Sequence, residues 1–416
     1  DVVGKIYLLD NRGEWASQQI LSEEVLVNGS AKSSLPPGNE DNRSMNVQLG
    51  DIDAGDSKTI QVTQVVRVDA TNLQIDPSQT AGQIPSQYKK YTKSVDYLWQ
   101  SDDSKIQSKA SELTAGENNY YSKAIRILNW VENHLTYQVQ SIEHGAIWAY
   151  EHNFGDCTEY SNLFIALARA AGIPAKAVSG YLYEAGSEDI STIGHQWTIF
   201  YLPSVGWVPA DLTYNPPVGQ FGNLTNDHVI ELTSDGSNWT KEPSGLSPPS
   251  PYVSYSYRGK DPNLGIEPSG TITRVVGVDL SVTPDIEAAE DTLHFDVEIR
   301  NSSSSHSISN VKVELDVDNT YFTPPSEKNL DDINPGTQRY VSFEIPVKKS
   351  VENSPITTVV TYEAGDYGTF EASETVSTTI NISQQVPYEL PFSWIMVAVA
   401  IGVVVSLIGA ILIFFR

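Results

Sequence analysis

Residues 155–174 read GDCTEYSNLFIALARAAGIP, and this stretch decides the fold of the central part of the chain. Its apolar residues recur at helical spacing, and Gly172 with Pro174 supplies a stop signal. The pattern predicts a buried helix that begins at Cys157, the only cysteine among 416 residues. The residues that carry the helical spacing are Tyr160, Leu163, Phe164, Leu167, Ala168 and Ala171.

The position of Cys157 makes it a candidate nucleophile. A thiol at a helix N-terminus faces unpaired backbone N–H groups and the positive end of the helix dipole, and both favour the thiolate form. Asp156 opposes this effect as a neighbouring negative charge, although it also suits the N-cap position. The alternative is that Cys157 is a small buried apolar residue, which is the usual place of an unpaired cysteine.

A catalytic cysteine needs a base within hydrogen-bond reach and a third group that orients the base. His195 follows Gly194 and opens a β-rich run, and Asp211 ends a short apolar strand further along. Two antiparallel strands joined by a turn at residues 203–206 would bring Asp211 near His195. Taken singly, a histidine at a strand end and an aspartate in a loop are ordinary features, but their joint spacing indicates a site.

Several motifs in order give the chain a resemblance to a known family. Their order is similar to that of the transglutaminase-like superfamily, whose core is papain-like, and the resemblance covers about residues 85–235. The motifs are Gly155-Asp156-Cys157, Gly172-Ile173-Pro174-Ala175, Val178-Ser179-Gly180-Tyr181, His195-Gln196-Trp197 and Gly206-Trp207-Val208-Pro209-Ala210-Asp211.

The resemblance implies a catalytic triad in which Cys157 is the nucleophile, His195 the base and Asp211 the orienting group. Active members share a first half-reaction, in which the thiolate attacks an amide carbonyl and leaves a thioester. Water as the second nucleophile gives a hydrolase, whereas an amine gives a transglutaminase. The superfamily also contains members without catalysis, so the fold alone does not define the reaction.

Other residues are weaker candidates for the site. The backbone N–H of Cys157 is expected to contribute to an oxyanion hole, and its second donor is not assigned. Trp148 and Trp197 are candidates for lining the site, with core packing as the alternative. His144 and His152 are weaker candidates for the base, because neither has the strand and carboxylate context of His195. No metal-ligand spacing or phosphate-binding loop is evident, so we expect no cofactor and no metal.

Composition and charge limit the classes of partner that this chain can have. The formal net charge is −26 with a pI of about 4.5, which argues against nucleic-acid binding. One cysteine excludes an intrachain disulfide framework, so the compartment must be inferred otherwise. Asn-x-Ser/Thr sequons support an exported location and predict glycosylation candidates. These candidates are Asn28, Asn42, Asn223, Asn238, Asn301 and Asn381.

The C-terminal end of the chain predicts a membrane anchor. Residues 392–415, from Phe392 to Phe415, are almost unbroken apolar sequence, long enough to span a bilayer. The terminal Arg416 places this end in the cytoplasm by the positive-inside rule. We therefore expect a single-pass cell-membrane protein with an extracellular N-terminal ectodomain and a cytoplasmic C-terminus. Because the chain starts at Asp1 and not at Met, a removed leader is also expected.

The remaining sequence predicts β-rich modules on both sides of the core, and hence a multidomain α+β protein. Residues 49–55 (LGDIDAG) echo residues 330–336 (LDDINPG), and each precedes an alternating run. Predicted strands are residues 5–9, 24–27 and 59–68, and residues 274–282, 292–300, 311–317, 339–346, 356–362 and 370–380. The predicted domains are a β-sandwich module (1–75), a transglutaminase-like core (76–240), a Pro-rich linker (241–270), an immunoglobulin-like β-sandwich (271–385), and a transmembrane helix with a minimal tail (386–416).

Two functions are compatible with this sequence. The first is a membrane-anchored extracellular enzyme, a cysteine-nucleophile amide hydrolase or acyl transferase acting on protein or peptide substrates. The alternative is a non-catalytic cell-surface assembly or binding protein that uses the core as a structural module, with partners at the surface or in the membrane. The intact triad favours the first, and the overall layout most resembles archaeal exported proteins.

Overall fold

The computed structural model describes residues 1–380, apart from residues 33–34, 37–41, 185–188, 191, 214–219, 238–239, 243–244, 248–252, 259–268, 286–291 and 304. The chain divides into two compact units, Asp1–Arg274 and Val275–Arg416. Among the described residues, no helix has the length and apolar character needed to cross a bilayer. The predicted span at residues 392–415 lies outside them.

The first unit has strands at both ends and helices between them. Its described helices are α1 (Ser104–Leu113), α2 (Tyr120–His134), α3 (Ala146–His152) and α4 (Cys157–Ala170). Its described strands are β1 (Val2–Tyr7), β2 (Ser17–Val27), β3 (Ser30–Ala31), β4 (Ser44–Gly50), β5 (Ile60–Asp69), β6 (Thr71–Asn72), β7 (Thr136–Tyr137), β8 (Phe154–Gly155), β9 (Ala175–Leu182), β10 (Gly194–Leu202), β11 (Gly206–Asp211), β12 (Gln220–Phe221), β13 (Asn223–Leu224), β14 (His228–Ser234), β15 (Thr240–Glu242), β16 (Gly245–Ser247) and β17 (Val253–Tyr257).

Helix α4 lies at the centre of this unit. Its residues from Glu159 to Arg169 are all buried, as expected for a helix that is apolar around most of its circumference. Helices α1, α2 and α3 pack against it, and β10 lies behind it, where Phe164 and Phe200 meet edge to face at 5.7 Å. Gly172 follows the helix with φ +80°, a conformation that suits glycine and ends the helix as predicted.

A five-stranded antiparallel sheet with the order β12-β11-β10-β9-β14 supports α4. At its centre, Gly180 of β9 lies opposite His195 of β10 on one side and Ile230 of β14 on the other. A Cβ at Gly180 would lie 2.0 Å from the carbonyl oxygen of Val229, so only glycine allows β14 to approach this closely. The sheet therefore places the start of β14 across the end of β9 from the start of β10.

The N-terminal strands form two three-stranded sheets with the orders β17-β1-β4 and β3-β2-β5. Strand β17 corrects the prediction that residues 241–270 are an extended linker, because it pairs antiparallel with β1, with Ser256 opposite Val3. The prolines of this segment lie outside residues 253–257, which read VSYSY and alternate β-forming residues with serine. One strand of the N-terminal region is thus supplied from beyond the core.

The N-terminal strands and the core pack as one unit. The Gln18 side chain donates to the carbonyl oxygen of Ile230 at 2.9 Å and accepts from the Ile230 N–H at 2.8 Å. Trp15 and Ala16 are buried in one apolar cluster with Trp197. Residues 1–75, predicted as a module, therefore share buried contacts with the five-stranded sheet.

The described part of the second unit contains two antiparallel sheets with the orders β18-β19-β22 and β21-β20-β23-β24. Alternate residues of both sheets are buried in one apolar cluster, which makes this unit a β-sandwich. The immunoglobulin-like assignment stays a prediction. The strands are β18 (Val278–Asp285), β19 (Thr292–Asn301), β20 (Ser309–Val317), β21 (Lys328–Leu330), β22 (Gln338–Pro346), β23 (Val351–Glu363) and β24 (Thr369–Ile380).

Candidate active site

Cys157 is the first residue of α4 and is half-buried. Asp156 is the N-cap: its Oδ1 accepts from the Thr158 N–H at 3.0 Å, and the Glu159 carboxylate accepts from the Asp156 N–H at 2.9 Å. This reciprocal capping box stabilises the first turn of the helix. The second carboxylate oxygen of Asp156 accepts from the Gln140 N–H at 2.9 Å, so the charge of Asp156 is engaged by backbone N–H groups.

The β10–β11 hairpin brings His195 and Asp211 together. Thr198 lies opposite Ala210 in this pair of strands, which sets the two side chains beside each other. The His195 Nε2 atom and the Asp211 Oδ2 atom are 2.6 Å apart. Because Nε2 is engaged by Asp211, Nδ1 is the ring nitrogen left for the thiol. The structure thus brings together the histidine and aspartate that the sequence predicts.

Cys157 completes this cluster from the helix side. Burial of the ring works to lower the pKa of His195, whereas the hydrogen bond and the negative charge of Asp211 raise it. A hydrogen bond with Cys157 and its charge raise it further, and the net pKa of His195 lies above the ordinary range. An imidazole that keeps its proton beside a thiol stabilises the thiolate.

The Asp211 carboxylate is 1% exposed and accepts several hydrogen bonds. Its Oδ1 accepts from the Thr213 N–H at 2.9 Å and from the Thr213 hydroxyl at 3.0 Å. Burial works to raise the pKa of Asp211, but the charges and hydrogen bonds of His195 and His228 hold it well below its usual range. The group is therefore ionised, as an orienting carboxylate must be.

His228 is a site residue to which the sequence analysis assigned no role. Its Nε2 atom lies 3.1 Å from the same Asp211 Oδ2 atom that meets His195, and the residue is 1% exposed. The available sequence signal was that His228-Val229 resembles the usual tail of the superfamily domain, which does not distinguish a site residue from a strand start. The pairing of β14 with β9, which places His228 there, is a tertiary feature.

His195, Asp211 and His228 are also a set that could hold a metal ion, since one ligand atom of each lies within 4.8 Å of the others. However, the nitrogen to oxygen separations are 2.6 and 3.1 Å, which are hydrogen-bond distances. Tetrahedral zinc with ligand bonds of about 2.0–2.2 Å would hold these atoms about 3.3 Å apart. The arrangement therefore fits direct hydrogen bonds better than a metal centre.

The two predicted tryptophans occupy different places. Trp197 is fully buried, with its ring stacked on His195 at 5.7 Å between centroids and edge to face with His228 at 5.1 Å. Trp148 instead lies between the rings of His144 and His152, at 3.8 and 4.3 Å. Trp197 thus lines the cluster, whereas Trp148 stacks with both alternative bases and meets the Phe154 ring edge to face at 5.2 Å.

Two predicted glycosylation residues are exposed in the folded first unit. Asn28 lies in the turn between β2 and β3 with φ 50°, and Asn223 begins β13. Both side chains are therefore placed where a glycan would reach solvent. Asn238 and Asn381 lie outside the described residues.

The other two sequons have engaged side chains. The Asn42 amide donates to the Thr233 carbonyl oxygen at 2.6 Å and accepts from the Thr233 N–H at 2.8 Å. Asn301 is 0% exposed and donates to the carbonyl oxygens of His306 and Ile333. A glycan on Asn301 does not fit this packing, because the amide would lose both buried hydrogen bonds.

A buried carboxyl next to α4 predicts a pH-dependent stability effect. Burial raises the pKa of Glu143 to about 8, although a hydrogen bond from Asn162 works against this rise. The folded state therefore keeps a proton that the unfolded chain releases above its ordinary pKa of about 4.3. Folding stability is lost as the pH rises from that value towards 8, because over this range the unfolded chain is stabilised by ionising Glu143 and the folded state is not.

Glu143→Gln is expected to remove this loss, since the amide cannot ionise and its oxygen can still accept from Asn162 at 2.8 Å. The Tm difference between variant and wild type should be small at about pH 5 and grow in favour of the variant by about pH 8. Glu151→Gln is the matched control, because Lys105 lowers the pKa of the exposed Glu151. A Tm difference that is equal at both pH values would contradict the assignment.

The fold and the cluster define the class of this domain. A buried helix that begins at a cysteine, packed on an antiparallel sheet that carries the histidine and the aspartate, is the transglutaminase-like arrangement that the motifs predicted. Residues 107–212 match the family model described as the transglutaminase-like superfamily. This part of the chain is therefore a transglutaminase-like domain, and it contains Cys157, His195 and Asp211 but not His228.

Two curated relatives match part of this chain. The uncharacterized protein YebA of Bacillus subtilis is 26% identical over 152 residues, which are 32% of this chain and 20% of that protein. An uncharacterized protein of Haemophilus influenzae is 36% identical over 75 residues, 14% of this chain and 20% of that protein. The chain thus spans about a fifth of each relative.

Solved structures show low overall similarity. A proposed cysteine protease from Cytophaga hutchinsonii has a TM-score of 0.40 and 18% identity, covering 65% of this chain and 86% of that one. The periplasmic domain of TgpA from Pseudomonas aeruginosa, bound to ethylmercury, has a TM-score of 0.29 and 14% identity, and the match covers 51% of this chain and 89% of that one. Red sea bream transglutaminase has a TM-score of 0.26 and 9% identity, and the match covers 92% of this chain and 78% of that one.

Proposed function

We propose that this protein is a cysteine-nucleophile enzyme that transfers or hydrolyses the acyl group of protein or peptide amides through a thioester. One observation carries the proposal. The His195 ring is bonded through Nε2 to the ionised Asp211 and lies beside Cys157, the first residue of a buried helix. This is the arrangement that activates a thiol, with the base oriented by a third group.

In the first half-reaction, His195 takes the thiol proton at Nδ1 and the Cys157 sulfur forms a bond to the amide carbonyl carbon. The carbonyl oxygen becomes an oxyanion, and the backbone N–H of Cys157 at the first turn of α4 is suited to donate to it. Asp211 stabilises the resulting imidazolium. Collapse of the intermediate breaks the C–N bond, and His195 gives its proton to the leaving amine.

In the second half-reaction, a nucleophile attacks the thioester and His195 takes its proton. The carbon–sulfur bond breaks, the thiol is restored, and the product is an acid if the nucleophile is water or a new amide if it is an amine. The same three side chains serve both outcomes. Hydrolysis and transamidation are therefore two forms of one proposal, separated by the acceptor used.

The test is to trap the thioester on the full chain. A glutamine-containing peptide is mixed with the protein, quenched in acid and analysed by mass spectrometry, and ammonia release is measured with and without a biotinylated alkylamine. We expect an acyl adduct on Cys157 that Cys157→Ala lacks, since the substitution removes the nucleophile and keeps the helix start. If wild-type Cys157 is also inert to iodoacetamide, the enzyme proposal is wrong and the non-catalytic alternative stands.

We also propose a location outside the cell, anchored in the cell membrane by residues 392–415. The support is sequence alone: the apolar run, the basic Arg416 that follows it and the sequons. Expression of the full chain followed by protease treatment of intact cells tests it. Protection of the ectodomain from added protease would contradict this orientation.

A further inference from the structure

The Asp211 carboxylate is shared by two histidines. His195 Nε2 and His228 Nε2 lie 2.6 and 3.1 Å from the same Oδ2 atom. The other oxygen, Oδ1, accepts from the N–H and the hydroxyl of Thr213. Each oxygen thus accepts from a pair of donors, which removes the freedom of the carboxylate to rotate about its last side-chain bond.

His228 is itself held at its second nitrogen. Nδ1 lies 2.9 Å from the Thr225 hydroxyl, and the His228 N–H donates to the Thr225 carbonyl oxygen at 3.3 Å. The side chain is 0% exposed. Because the ionised Asp211 carboxylate can only accept, His228 presents an N–H at Nε2 to Asp211.

An apolar residue would fill this buried position without the desolvation that an imidazole requires. The ring of Trp197 meets His228 edge to face and stacks on His195, so one tryptophan contacts both histidines. The two imidazoles and the carboxylate are thus packed as a group. The orientation of the His195 ring depends on the position of the Asp211 Oδ2 atom. His228 is one of the donors that fix this position.

These supporting residues lie outside the segment that matches the superfamily, which ends at residue 212. Thr225 and His228 bound a turn that follows β13, and β13 pairs with β6 from the N-terminal region, with Asn223 opposite Asn72. Leu224 is 4% exposed and packs in the apolar cluster that includes Trp15. The position of His228 is therefore set by residues that follow this matched segment and by the N-terminal region of the first unit.

We propose that His228 is a positioning residue: held by Thr225, it fixes the Asp211 carboxylate so that His195 presents its free nitrogen to Cys157. This rests on the proposed roles of Cys157, His195 and Asp211. A residue that acts in this way changes the reactivity of Cys157 without touching the substrate. It should therefore act on kcat and on thiol reactivity and leave KM almost unchanged.

The experiment compares His228→Phe with His228→Gln in the full chain. Phenylalanine keeps a buried ring without a donor, whereas glutamine keeps an N–H donor. The readouts are the rate of Cys157 alkylation by iodoacetamide across pH, and the downfield N–H proton resonance of the His195–Asp211 bond. Alkylation requires no substrate, so it reports positioning even if amide turnover, and with it the proposed function, fails.

His228→Phe is expected to slow alkylation by about ten- to a hundredfold at neutral pH. This is the effect expected from the loss of one hydrogen bond to a charged group. It should also shift the pH profile and the resonance, and His228→Gln should restore most of the rate. His294→Phe in the second unit is the matched control and should behave as wild type. Equal rates and profiles in His228→Phe and wild type would overturn the proposal, as would equal losses in both His228 variants.

If His228→Phe does not fold, Thr225→Val provides the second test. It removes the hydroxyl that holds Nδ1 and leaves His228 in place, with little change of volume at the turn. A fall of about severalfold in the alkylation rate, with unchanged thermal unfolding, supports positioning through Thr225. An unchanged rate and an unchanged resonance in this variant would overturn it.

Discussion

His195→Ala is expected to lower kcat for amide turnover by about a thousandfold or more, close to the loss caused by removing Cys157. The ring is placed both on Asp211 and beside the thiol. Without it, nothing takes the thiol proton in the first half-reaction and nothing protonates the leaving amine. The measurement is steady-state ammonia release, together with the alkylation rate of Cys157 at neutral pH.

His152→Ala is the matched control for this prediction. His152 is an exposed histidine that lies on the ring of Trp148, and sequence alone left it as a weaker candidate for the base. We expect this variant to keep wild-type turnover. If His195→Ala keeps full turnover while His152→Ala loses it, the base has been assigned to the wrong histidine.

Asp211→Asn is expected to lower kcat by about a hundredfold, less than the loss in His195→Ala because the imidazole is still present. One side of the asparagine side chain becomes an N–H donor, which faces either the histidine donors or the Thr213 N–H. The carboxylate that orients His195 is then lost. A variant with full activity would show that Asp211 has no part in the reaction.

The same substitution is expected to change the pH dependence of stability. The pKa of Asp211 is lower in the folded state than its ordinary value of about 3.9, so its contribution is present above that value and is lost as the pH falls. Asp211→Asn should therefore reduce the free energy of unfolding at neutral pH by about 3 kcal/mol, and by less at about pH 3. Urea unfolding at both pH values measures the difference, with the exposed Asp296→Asn as control.

The core of the site was predictable because its signals are local. The helix from Cys157 follows from apolar spacing and from the stop at Gly172, and α2 likewise buries residues at helical spacing, Ala124, Ile127, Leu128 and Val131. The meeting of His195 and Asp211 follows from a hairpin, which joins neighbouring strands through one turn. Such features depend on residues that are close in sequence.

The departures from prediction involve long-range pairing. Strand β17 joins β1 across most of the first unit, and a Pro-rich segment with a short β-forming run does not reveal a partner that distant. His228 reaches Asp211 only because β14 pairs with β9 at Gly180, where a side chain would block the approach. Strand order within a sheet is decided by packing, which no local pattern contains.

By itself, the amino-acid sequence determined the central helix, its first residue Cys157, and the hairpin that carries His195 and Asp211. These follow from periodicity, capping and turn residues, which act over a few neighbouring positions. The tertiary structure alone decided that Asp211 is shared by His195 and His228, and that the turn at Thr225, which follows the matched residues 107–212, supports the site. The reason is that a buried carboxylate takes its hydrogen bonds from whichever strands packing brings together.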